Sequence, residues 1–164
     1  MNNYNLIHNN ANARYAGQIT FFDTSLNEAT VASIRLRPIT VDIRVYAGEG
    51  PVPHFHIVNK SEGFDCCVCI FDNYYFDHGN HQSVLSSVQR KTLNEFLSSP
   101  NHDSPYMTNW QNIRAVWIAN NRDTDGRNGD YPLTQPDYTN IGSFSDYKTK
   151  KKSEKAYIKK LYKR

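Results

Sequence analysis

The residues of this chain whose types and spacing could do chemistry gather around one stretch, Gly50-Pro51-Val52-Pro53-His54-Phe55-His56-Ile57-Val58. Side chains two apart on a strand project to the same face. His54 and His56 therefore point one way, outward from the layer that Phe55 and Ile57 turn toward a core. Pro51 and Pro53 exclude helix here and push their neighbours extended. Two strand-borne imidazoles form a ready pair of ligands for a divalent transition metal. His78 and His81, with Asp77 in the same polar turn, are the nearest groups able to complete such a set. A metal-free use is acid and base catalysis on a phosphodiester, His54 and His56 exchanging protons with the substrate as a nuclease requires. The bland reading is a pair of structural, hydrogen-bonding histidines, and the cofactor stays open between none and a transition metal.

Two further groups bear on chemistry. Asn121-Arg122-Asp123-Thr124-Asp125-Gly126 matches the start of a calcium loop, with oxygen ligands at alternate positions and Gly at the sixth. Its twelfth position, where a bidentate Glu belongs, is Pro132, so the stretch also reads as an ordinary polar loop around Asp123. Cys66, Cys67 and Cys69 are too crowded to bridge one another and lack the spaced thiol pairs of a structural zinc site. They read as small buried residues on a central strand, which fits a reducing, cytoplasmic compartment.

The elements that must position these residues come as strands first and helices afterwards. Residues 1–16 form an irregular arm and 17–22 a short first strand. Alternation over 32–37 and again over 39–46 gives two half-buried strands around Pro38. A turn at 47–50 then joins the second of them to the histidine strand as a hairpin. Residues 59–63 make another hairpin loop, 64–71 is apolar on both faces as a central strand is, and 74–76 adds a short edge strand. Ser86 with Gln89, and Thr108 with Gln111, are capping boxes opening two helices. Their inward stripes are Leu85, Val88, Leu93, Phe96 and Leu97, then Trp110, Ile113 and Trp117. The expected fold is α+β: an antiparallel sheet of four to five strands, two helices on one face, a long polar loop and a basic C-terminal helix or tail. The organisation is an arm (1–16), a core (17–121), a loop (122–147) and a tail (148–164), with Ser153 capping a short helix in the tail.

Composition bounds the partners. The chain has 164 residues and a net charge of +3, enough for one domain with appendages. Nine of its 19 basic residues lie in the tail, as Lys148, Lys150, Lys151, Lys152, Lys155, Lys159, Lys160, Lys163 and Arg164, against Glu154 alone. A basic tail on a mildly acidic body is the layout of an appendage that meets nucleic acid or an acidic protein. No apolar run approaches the roughly 20 residues of a bilayer span, so no membrane partner is expected. The start, Met1-Asn2-Asn3-Tyr4, has neither a basic nor an apolar signal region, so no secretion is expected either.

Residues 40–121, with Ile43-Arg44-Val45-Tyr46, Pro53-His54-Phe55-His56-Ile57, an apolar strand, a helix and Asn109-Trp110 on a second helix, resemble the bacterial domain of unknown function 4160 family. That resemblance implies a small cytoplasmic α+β protein of the kind suspected in two-gene modules such as toxin–antitoxin or phage-defence pairs. The loop after Asn121 and the basic tail lie outside it. The spacing Gly48 to His54-x-His56 is also similar to the first motif of cupin barrels, but Glu62 falls six residues beyond His56 and no second motif follows. The leading expectation is an interaction or regulatory module whose tail contacts nucleic acid or an acidic protein. A His-dependent nuclease and a metal-binding protein or metalloenzyme are the alternatives.

Overall fold

A computed structural model describes residues 28–50, 52–76, 83–121 and 131–161. The four strands β1 (Glu28–Leu36), β2 (Ile39–Tyr46), β3 (His54–Asn59) and β4 (Phe64–Cys69) form one antiparallel sheet in sequence order. Three helices follow: α1 (Ser87–Ser98), α2 (Asn109–Asn121) and α3 (Phe144–Leu161). The α+β expectation holds, with four strands among the described residues. The strand expected at 17–22 lies outside them. The expected edge strand is reduced to bridges, Tyr75 to Val68 and Tyr74 to Gly142.

Alternation gives the sheet its buried face. Val41, Ile43 and Val45 from β2, Phe55 and Ile57 from β3, and Cys66 and Val68 from β4 pack with Leu93, Leu97, Ile113, Val116 and Trp117 of the two helices. Both capping boxes form as the spacing requires: Ser86 and Gln89 exchange backbone-to-side-chain bonds at 2.9 and 3.3 Å, and Thr108 and Gln111 at 2.7 and 3.2 Å. One stripe residue is misplaced. Val88 is 67% exposed, and Gln89 takes the inward position, donating from Nε2 to the carbonyls of Leu36 and Arg37. A polar side chain is accepted there because it ties α1 to carbonyls at the β1–β2 turn.

The segment after residue 130 departs most from the expectation. Tyr138, placed by its composition in a loop, is fully buried, its ring edge-on to Phe55 and its hydroxyl 2.8 Å from the Ile70 carbonyl. The basic helix starts at Phe144 rather than at Ser153, which lies inside it. Ser143 is the cap: its Oγ accepts from the Asp146 backbone N–H at 3.2 Å, and Asp146 Oδ2 accepts from the Ser143 N–H at 3.2 Å. That is a capping box closed by Asp in place of Glu or Gln. The first turns of α3 lie on the β4 side, where Phe144 meets Phe76 (5.5 Å), Tyr147 meets Tyr74 (6.0 Å) and Lys150 pairs with Asp72 (2.8 Å).

Candidate functional site

His54 and His56 do share a face, as alternation demands, but that face is not open. His54 is 0% and His56 1% exposed. The rings of Phe76 (4.6 Å) and Trp117 (5.2 Å) cover His54, and Tyr46 stands edge-on to His56 at 4.5 Å. The outward placement expected for the pair is therefore corrected: aromatic side chains brought from α2 and from beyond β4 bury the pair. Pairing across the sheet sets what the histidines meet. His56 sits between Arg44 and Cys67, and His54 lies opposite Cys69.

Glu49, in the connection between β2 and β3, reaches back over this face. Its Oε2 lies 3.0 Å from His54 Nε2 and 2.9 Å from His56 Nε2, with the carboxylate side chain 17% exposed. Asn121, the last residue of α2, holds that connection. It accepts from the Glu49 backbone N–H at 2.9 Å and donates to the Tyr46 carbonyl at 2.9 Å. Asn121 would be the first ligand of the calcium-like stretch, and its oxygen is engaged here instead; residues 122–130 lie outside the described residues.

Proton positions follow from the partners. A carbonyl can only accept, so His54 Nδ1–H donates to Val52 O at 2.7 Å, and Nε2 faces Glu49 Oε2 at 3.0 Å. His56 Nε2–H donates to Glu49, which leaves Nδ1 facing Cys67 Sγ at 3.2 Å and Asp65 Oδ1 at 3.9 Å. Burial works to raise the Glu49 carboxyl, but hydrogen bonds from His54 and His56 outweigh it and hold the group well below the ordinary carboxylate range. Burial, and then the nearby Asp65 carboxylate, push the Cys67 thiol far above its ordinary value.

Cys67, His56 and Glu49 follow one another in the order of a thiol–imidazole–carboxylate triad. A nucleophilic thiol needs access and a lowered pKa, and Cys67 is 1% exposed in the middle of β4 with its pKa raised. The same geometry suits ligation. His54, His56 and Cys67 each offer one ligand atom within 4.8 Å of the others, a buried group that could hold a metal ion.

Of the candidates named from sequence, His54 and His56 come together here. His78 and His81 lie outside the described residues; among the described residues the third side chain that could ligate is Cys67, expected from sequence only as a small buried strand residue. Glu49 was missed as well. Cys67 could have been found from the hairpin 59–63, which sets the register of β3 on β4; nothing in the spacing marks Glu49. The tail lysines divide: Lys150 and Lys151 contact Asp72 at 2.8 and 3.5 Å, while Lys148, Lys152, Lys155 and Lys159 are exposed. The side chain of Lys160, and Lys163 and Arg164, lie outside the description.

Comparison with protein-family models, with curated proteins and with solved structures finds no match. The likeness to the domain of unknown function 4160 family accordingly rests on the residues quoted for it. Among the described residues no helix is long and apolar enough to cross a membrane.

Proposed function

We propose that this protein binds one divalent transition metal, zinc, through His54 Nε2, His56 Nε2, Cys67 Sγ and the Glu49 carboxylate. The observation that carries the reading is the convergence of these atoms in a sealed interior: Glu49 Oε2 at 3.0 and 2.9 Å from the two Nε2 atoms, and Cys67 Sγ at 3.8 Å from that of His56. Zinc–nitrogen bonds of about 2.0–2.1 Å put neighbouring tetrahedral ligands roughly 3.3 Å apart, and the separations of 2.9, 3.0 and 3.8 Å bracket that value. The Val52 carbonyl supports it further. A ligating histidine typically donates its other ring N–H to such an acceptor, which aims the lone pair at the metal.

The chemistry of the set favours zinc. Two imidazoles, one thiolate and one carboxylate form a mixed N, S, O tetrahedron, the coordination of zinc rather than of the all-oxygen cations. Binding would release the Cys67 proton and move the His56 proton to Nδ1, beside the thiolate and Asp65. Four protein ligands behind aromatic walls describe a site that holds a fold together. An acid–base role on a phosphodiester needs histidines that a phosphate can reach, and burial at 0% and 1% works against it.

The test is metal content in protein purified without a histidine tag from zinc-supplemented growth. About one equivalent per chain is expected, with Cys67→Ser and His54→Ala losing it. Cobalt replacement should give a thiolate charge-transfer band absent from Cys67→Ser. Metal-free wild-type protein that takes up neither zinc nor cobalt would sink the proposal.

A further inference from the structure

Helix α3 has two working faces. One is docked: Phe144 stacks on Tyr147 at 5.9 Å, both rings reach the Tyr74–Phe76 segment, and Lys150 and Lys151 clasp Asp72. The other carries Lys148, Lys152, Lys155 and Lys159, all exposed. Their spacing of four, three and four residues keeps them in one row, about a quarter turn round the helix from the docked face at 3.6 residues per turn. At a rise of about 1.5 Å per residue the row spans roughly 16 Å.

Among the described residues no acidic side chain of α3 falls within it. Asp146 is bound to Ser143 at the helix start, and Glu154 pairs with Lys151 at 3.1 Å. The rest of the molecule has the opposite sign: outside residues 148–164 there are fifteen acidic and ten basic residues. A polyanion is therefore drawn to this ridge and not to the body as a whole, which is the charge complementarity that orients an encounter.

We infer that the lysine row of α3 binds the phosphate backbone of duplex DNA without regard to sequence. Ammonium groups meet phosphates as point charges and read no base edges. Single-strand binders add aromatic platforms for bases, whereas the described aromatic side chains of α3, Phe144 and Tyr147, are turned into the domain. Docking also matters, because most of a helix's stability in a protein comes from packing, and Asp72, Tyr74 and Phe76 hold the first turns of α3 in place. The inference stands on α3 alone and is independent of the metal site.

The experiment is fluorescence anisotropy of the full chain with a short random-sequence DNA duplex, between about 50 and 200 mM salt. Four phosphate contacts predict a slope of log K against log salt of about −3 to −4, at roughly −0.9 per contact. Replacing Lys148, Lys152, Lys155 and Lys159 together by Gln should flatten that slope to near zero and weaken binding at least tenfold. Gln is close to Lys in helix propensity, and far-UV circular dichroism checks that α3 persists. Replacing the exposed Lys60 and Lys91, which lie off the helix, should change neither quantity. An unchanged slope in the row variant overturns the inference, as does an equal loss in the Lys60/Lys91 control or displacement of the DNA by polyglutamate at matched charge.

Discussion

Glu49 gathers the site at the scale of single residues. One carboxylate oxygen faces two imidazole nitrogens, so the interior there holds either protons or a cation, and Asn121 keeps the backbone of Glu49 where that oxygen can reach both rings. A second carboxylate shows the ordinary, surface version of the same effect. Asp42 accepts from Arg44 at 2.8 Å and from Ser33 at 2.6 Å, and these bonds lower its pKa from 3.8. A group depressed in the folded state stabilises above its unfolded pKa, and that contribution fades as pH falls through the folded value. Thermal unfolding of Asp42→Asn should therefore run below wild type at neutral pH, and the difference should close below about pH 4. A constant gap down to pH 2 would show that the two bonds act without the charge. The effect is small, since Asp42 is a third exposed and solvent screens it.

The strand–turn–helix elements owe their ends to local chemistry and their docking to close approaches. Gly142 is the tightest of these. Its N–H donates to the Asn73 carbonyl at 2.8 Å and its carbonyl accepts from Tyr75 N–H at 3.0 Å, which seats α3 beside β4. A Cβ at this position would come within 2.7 Å of the Tyr74 ring. That ring lies against Tyr147 and 5.2 Å under the Lys150 ammonium, so moving it disturbs the seat of the helix. Gly142→Ala should cost about 1–3 kcal/mol by overpacking. Hydrogen exchange should quicken first in α3, with β2 and β3 protected as before; equal protection throughout would mean that Tyr74 swings aside freely. Much of this level is readable in advance. The capping boxes of α1 and α2 are visible as Ser or Thr three residues before Gln. The cap of α3 is harder to read because Ser143-Phe144-Ser145-Asp146 closes with Asp, a shorter partner outside the usual pattern.

For the whole molecule, a bound metal would tie β3, β4 and the β2–β3 connection together. Ligand held only by the folded state stabilises by about 2.7 kcal/mol at a hundredfold excess over its dissociation constant. A chelator should accordingly lower the melting temperature of the zinc-loaded protein by several degrees and leave Cys67→Ser unmoved; equal melting with and without chelator in wild type would separate the fold from any metal. The sequence alone determined the α+β order of elements, the strand alternation that sends His54 and His56 to one side, and the concentration of positive charge at one end, because each is a property of period or composition along the chain. It could not show that the histidine face is covered, that Cys67 stands beside His56, or that Glu49 folds back over both rings. Period reports which way a side chain points, not what lies on top of it. Those neighbours come from strand register, from a turn, from Trp117 of α2 and Phe76 after β4, and only the tertiary structure brings segments so far apart in the chain to one buried point.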